Sequence, residues 1–295
     1  MKKQICFIAL VMLVATSATF AQKAAPRPII FAVLNDGKTL EPIGYISKNK
    51  LAEPVNGSDA DNIITAFNKT YYKAGTAYRL IWGGSNVGTV KVKSSDPKAD
   101  CSKNTATATT TSAKVTLKGL VMGLATNAQS KTTNASYRRK PTDAEKVEMD
   151  SLARAEFLKE KLTAKNLHYQ NLTAIDVDND GKAEFVGSYW IEIDKLTRGL
   201  LFFIASKGSN GKYAVGFREY RSVDQAGMMS GSDIKAVDEG TYHELLLDAF
   251  DYDNDGTAEI FTTQPGLEGA GFTAYKKNGT KWSRAYEFNN YHCGF

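Results

Sequence analysis

The sequence predicts a mainly β (α+β) protein built from antiparallel β-sheets, with two blade-like units in the C-terminal half and two short covering helices. Three observations predict it. Apolar runs of strand length flank turn signals, clearest at Asn35-Asp36-Gly37, Ser209-Asn210-Gly211 and Asn278-Gly279. Two segments combine a helix-opening signal with an apolar stripe at helical spacing. The segment LTAIDVDNDGKAEFV of residues 172–186 recurs as LDAFDYDNDGTAEIF at residues 247–261.

The first 21 residues read as a secretory signal peptide. Lys2 and Lys3 precede an apolar stretch, Ile5 to Ala15, too short to span a bilayer, and Thr19-Phe20-Ala21 offers small residues for cleavage after Ala21. The expected location is therefore secreted or periplasmic, in a bacterium, with no membrane span after signal removal. The net charge is +5, and removing the two lysines leaves +3, without a dense basic run beyond Arg138-Arg139-Lys140, so no nucleic-acid partner is expected. Cys101 and Cys293 remain; an oxidising compartment favours a disulfide, and two unpaired thiols are the alternative.

Residues 22–130 are expected to form a β-rich N-terminal domain with one helix. Ile29 to Leu34 and Leu40 to Ile46 form a hairpin about Asn35-Asp36-Gly37. A helix opens at Ser58-Asp59-Ala60-Asp61, buries Ile63, Ile64, Phe67 and Tyr71, and ends near Gly75. Tyr78 to Trp82 and Thr89 to Lys93 form a second strand pair. The threonine-rich stretch Thr105 to Thr111 suits an exposed edge strand or a loop. The polar stretch from Ser130 to Lys140 reads as a linker, placed at residues 131–141. Residues 142–295 then hold a helix and a duplicated calcium-loop β domain. Thr142-Asp143-Ala144-Glu145 is a capping box, and Val147, Leu152, Ala155, Leu158 and Leu162 form the stripe.

The repeated loops carry the chemistry. In the first, Asp176, Asp178 and Asp180 alternate, Gly181 permits a sharp turn, and Glu184 follows at the ninth position. Asp251, Asp253, Asp255, Gly256 and Glu259 repeat the pattern. Alternate carboxylates on a curled loop converge on one centre, as a hard cation with six to eight oxygen ligands requires. The backbone carbonyls of Lys182 and Thr257 complete the two expected ligand sets. Carboxylates this close repel one another unless they share a cation, and the lack of His or Cys ligands argues against zinc or copper. The EF-hand spacing fails, because the twelfth positions are Gly187 and Thr262 and the flanks read as strands.

A nine-residue acidic loop between strands resembles the calcium loops of FG-GAP and VCBS-type repeats, found in integrin alpha-chain propellers and secreted bacterial proteins. The resemblance implies Ca2+, one ion per loop, held by the acidic residues at the first, third, fifth and ninth positions. About eight strands follow residue 165, too few for a ring of four-stranded blades, hence the expectation of two blade-like units.

Catalytic constellations are not evident. His168, His243 and His292 share no ligand spacing, no Gly-x-Ser-x-Gly elbow occurs, and Gly83-Gly84-Ser85-Asn86-Val87-Gly88 suits a hairpin better than a phosphate loop. Tyr189, Trp190, Tyr242, Trp282, Tyr286 and Tyr291 are read as core before sugar-binding surface. The functional expectation is a non-enzymatic, calcium-binding module for binding or adhesion to an extracellular protein or glycan. The alternatives are an extracytoplasmic hydrolase with a calcium-stabilised scaffold, or a structural or assembly component.

Overall fold

The computed structural model describes residues 26–129 and 137–293. The signal-peptide segment and most of the linker stretch lie outside them.

Strand-length apolar runs become strands, and non-local pairing decides the architecture. In the first half these are β1 (Ile29–Leu34), β2 (Thr39–Ser47), β3 (Lys50–Ala52), β4 (Ala77–Trp82), β5 (Ser85–Ser94), β6 (Ala106–Ser112) and β7 (Gly123–Thr126). The turn after β1 has Asn35, Asp36 and Gly37 all at positive φ, and β1 pairs with β2 around it. On its other edge β1 pairs with β7, and the order β1-β7-β4-β5-β6-β2 closes back on β1. The result is a closed six-stranded antiparallel barrel, with β3 appended to β2. Helix α1 (Asp61–Tyr71) buries Ile64, Phe67 and Tyr71 among Ile29, Phe31, Val33, Tyr45 and Tyr78. The alternate residues Ile30 and Ala32 face the other way, as strand periodicity requires.

After β8 (Arg138–Arg139), helix α2 (Asp143–Lys159) begins at Thr142, whose hydroxyl accepts the Glu145 N–H while Glu145 accepts the Thr142 N–H, a complete capping box. Then come β9 (His168–Ile175), β10 (Glu184–Asp194), β11 (Thr197–Lys207) and β12 (Tyr213–Asp224), joined with β8 in an open sheet of order β12-β11-β10-β9-β8. A short 3-10 turn and α3 (Lys235–Asp238) lead to β13 (Leu245–Phe250), β14 (Glu259–Pro265), β15 (Gly269–Asn278) and β16 (Lys281–Tyr291), an open four-stranded sheet in sequence order.

The layers stack. Phe250, Phe261, Phe272 and Phe288 of the four-stranded sheet pack on the barrel. Leu246, Ile260, Tyr275 and Trp282, from its other face, pack on Ile175, Val186, Phe202 and Ile204 of the five-stranded sheet. Helix α2 covers the far side of that sheet with Met149, Ala153 and Phe157.

Several expectations are corrected. The protein is mixed α/β, with one closed barrel, two open antiparallel sheets and three helices among the described residues, and no pair of propeller-like blades. The barrel depends on β1 meeting β7, about ninety residues away, which local patterning does not reveal. The threonine-rich strand β6 is not an edge; it lies between β5 and β2 and turns Ala106 and Ala108 inward. Helix α1 starts at Asp61 without a side-chain cap, because its N-cap is Ala60, which has no side-chain acceptor; Asp59 accepts the Asn56 N–H, and Ile63 is exposed. Helix α2 turns Met149, Ala153 and Phe157 to the core and leaves Val147 and Leu158 in solvent. Leu152 and Leu162 of the expected stripe do pack, partly buried, against that core.

Candidate metal centre

Both acidic loops occupy equivalent places in the fold. The first joins β9 to β10 and the second joins β13 to β14, each bridging the first hairpin of its sheet. The pairs Glu184↔Ile175 and Glu259↔Phe250 close the two hairpins in the same register relative to the motif.

The backbones curl alike. Asn179 and Gly181 have φ of 57° and 80°, and Asn254 and Gly256 have 62° and 96°. A Cβ at Gly181 or Gly256 would meet nothing within 4 Å, so glycine serves the left-handed turn and not a close approach. The leading aspartate anchors each turn: Asp176 Oδ2 accepts from the Gly181 N–H and Asp251 Oδ2 from the Gly256 N–H, both at 3.1 Å. The closing glutamate ties down the entry, with Glu184 accepting from the Val177 N–H and Glu259 from the Tyr252 N–H.

Carboxylate oxygens consequently converge. One oxygen each from Asp176, Asp178 and Glu184 lies within 4.8 Å of the others, and Asp251, Asp253 and Asp255 form a matching group. Two Asp/Glu clusters able to chelate a divalent metal ion are therefore present. The loops differ in detail. Asp180 turns outward, where it accepts from the backbone and side chain of Lys182 at 2.7 and 2.9 Å. Asp255 stays with its cluster, and Glu259 sits beside it. The Thr257 N–H bonds Asp255 Oδ1.

The residues of the first loop fit a cation on a specific observation. Asp176 is 4 % exposed, and its Oδ1, like Oδ1 of Asp178, is buried with no hydrogen-bond partner. An unsatisfied buried acceptor costs about 1–3 kcal/mol, more when charged, and a bound cation removes that cost.

Two lysines missed by sequence reasoning reach these clusters. Lys277 Nζ donates to Asp178 Oδ2 at 2.7 Å and Glu184 Oε1 at 2.6 Å. Lys276 Nζ meets Asp253, Asp255 at 2.7 Å and Glu259 at 3.1 Å. The only sequence signal is a pair of adjacent lysines ahead of the Asn278-Gly279 turn. Burial pushes Glu184 up to about 7, against the pull of Lys277, and Glu259 up to about 8, with Asp253 adding repulsion. Burial opposes charge on Lys277 and on Lys276, yet their carboxylate partners prevail and hold both above the ordinary lysine value.

The three histidines do not converge. His168 stacks on Trp190 with ring centroids 4.3 Å apart. His243 is buried between the two sheets near Ser188 and Arg221. His292 pairs with the buried Glu41 at 2.6 Å on the wall of a cleft of about 500 Å³ between the barrel and the four-stranded sheet. The Cys101–Cys293 disulfide is formed, with Cα atoms 5.0 Å apart, and the Ser102 N–H beside it donates to the His292 carbonyl. Of the six aromatic residues singled out, Tyr189 and Trp282 are in the core and Tyr291 is exposed. No helix among the described residues is long and apolar enough to cross a membrane.

Comparison with protein-family models finds no match, and no curated protein or solved structure matches the chain. The resemblance to FG-GAP and VCBS-type repeats is thus limited to the loop motif. Neither a family match nor a propeller architecture supports membership.

Proposed function

We propose that the protein is an extracytoplasmic, non-enzymatic module whose two acidic loops each bind a calcium ion, and that the ions brace a surface for an extracellular protein or glycan. The unpartnered buried oxygens of Asp176 and Asp178 carry this reading, because they are acceptors waiting for a cation. All-oxygen donor sets favour a hard ion, and several carboxylates per loop favour calcium over magnesium, which retains more water. The disulfide supports an oxidising compartment. Affinities of about 10⁻⁴–10⁻³ M are usual for extracellular modules, which suits a stabilising ion.

Thermal unfolding in EDTA, in millimolar calcium and in millimolar magnesium tests the reading. At tenfold excess over Kd each occupied loop adds about 1.4 kcal/mol. A calcium-specific rise in Tm, halved by Asp176→Ala or by Asp251→Ala, is the expected result. Identical Tm values in the three buffers would remove the cation from the account.

A second reading, a hydrolase with a calcium-stabilised scaffold, is favoured by the Glu41–His292 pair in its cleft. A panel of ester and glycoside substrates tests it. Turnover lost in His292→Gln supports the hydrolase, and no turnover leaves the binding module.

A further inference from the structure

Lys276 and Lys277 are neighbours near the end of β15, where successive side chains leave a strand on opposite faces. Lys277 stands opposite Trp282 and shares the face of Tyr275, which packs against the five-stranded sheet. Its ammonium therefore reaches the first loop, at the end of that sheet. Lys276 leaves on the other face, beside Glu259, and reaches the second loop. One dipeptide thus puts one positive charge into each acidic cluster.

Each ammonium sits among the carboxylates that would hold a cation, and in the first loop it leaves them incompletely satisfied. An ammonium has three donors. In the first loop Lys277 bonds Asp178 and Glu184, and Oδ1 of both Asp176 and Asp178 remains without a partner. Lys277 is only 11 % exposed and Glu184 3 %, so this is a buried arrangement and not a loose surface pair. A divalent ion with six to eight oxygen ligands would satisfy what the ammonium leaves over.

We propose that Lys276 and Lys277 are tethered counter-cations that hold the loops closed when no metal is bound, and that a divalent ion enters each loop by displacing its lysine. This rests on the cation-binding reading above and adds its regulation: the lysines set the threshold concentration at which the loops load. The exchange makes each loop more positive by a single charge, since a singly charged ammonium moves to solvent as a doubly charged ion enters among the same carboxylates.

Calorimetric titration of the full chain with calcium alone, and separately with magnesium alone, tests the exchange. Lys277→Gln is expected to tighten one site, and Lys276→Gln the other, each by about tenfold or more, the worth of a charge-assisted hydrogen bond. Unchanged or weaker calcium affinity in both variants, with two sites still present in the wild type, would overturn the exchange and leave the cation reading standing. No calcium or magnesium bound by the wild type or by either variant would overturn both. Because a variant lacking a buried ammonium can fail to fold without metal, a second measurement uses the unaltered chain. Amine labelling by a water-soluble succinimidyl ester, read by peptide mass spectrometry, is expected to find Lys276 and Lys277 protected in EDTA and reactive in saturating calcium. Equal labelling in the two conditions would contradict displacement.

Discussion

The carbonyl of Val177 accepts the N–H of Ala258 at 2.8 Å, so the two acidic loops are joined backbone to backbone. Val177 is the second residue of one motif and Ala258 the eighth of the other. The stacking of the two open sheets brings these equivalent hairpins side by side, and the Lys276–Lys277 dipeptide spans both clusters.

The loops are expected to differ in affinity. Lys276 serves three carboxylates of the second loop, whereas Lys277 leaves two buried oxygens of the first loop unserved. The first loop therefore has more to gain from a metal ion. In a calcium titration showing two sites, Asp176→Ala should abolish the tighter one and Asp251→Ala the weaker. The reverse order would refute this reading of the unserved oxygens.

Arg138 joins the barrel to the four-stranded sheet. Its guanidinium donates to the Met122 carbonyl at 2.9 Å and to Asp248 at 2.8 Å, and lies 3.9 Å over the Trp82 ring. Asp248 also accepts from the N–H groups of Gly83 and Gly84, in the turn between β4 and β5. Both side chains are almost fully buried. Asp248→Ala should cost about 3–5 kcal/mol in urea unfolding, because it leaves a buried positive charge unpaired. A loss below about 1 kcal/mol, the ordinary worth of a surface pair, would show that the arginine finds other partners.

Cys101 and Cys293, 192 positions apart, close a loop that holds both open sheets and strands β6 and β7 of the barrel. Cys293→Ser should lower stability by about 2–5 kcal/mol, chiefly by freeing the unfolded chain. Denaturant unfolding of the variant checks this, and an unchanged midpoint would contradict it.

His243 sets a pH limit. Burial pulls its pKa down to about 4, and the charge of Arg221 opposes protonation further. The unfolded chain binds this proton near pH 6.5 and the folded chain only near pH 4. The contribution of this histidine is therefore constant above pH 6.5 and lowers stability as the pH falls from 6.5 to 4, by about 3 kcal/mol in all. His243→Gln should flatten that part of the stability profile, measured by urea midpoints at half-unit intervals. A profile as steep as the wild type would assign the proton to another group.

The acidic loops were legible because their geometry is local. Alternating aspartates, a glycine needed at positive φ and a closing glutamate lie within nine residues, and the same was true of the Thr142–Glu145 capping box and of the turn after β1. Barrel closure was not legible, since β1 pairs with β7 across about ninety residues and no local pattern names that partner. Neither was the partnership of Lys277 with Glu184, 93 positions away, which exists because two sheets stack. Helix α2 shows the intermediate case: its start is written in four residues, but the face it buries is chosen by the sheet beneath.

The most direct test of the account is the metal content of the protein at equilibrium. The protein is dialysed against millimolar calcium with millimolar magnesium present, and bound ions are counted by elemental analysis against the dialysate. The account expects two calcium ions per chain, one in Asp176→Ala or Asp251→Ala, and none in the double variant. A wild-type content indistinguishable from the double variant would contradict it, and would leave lysine ammonium groups as the counter-ions of these loops.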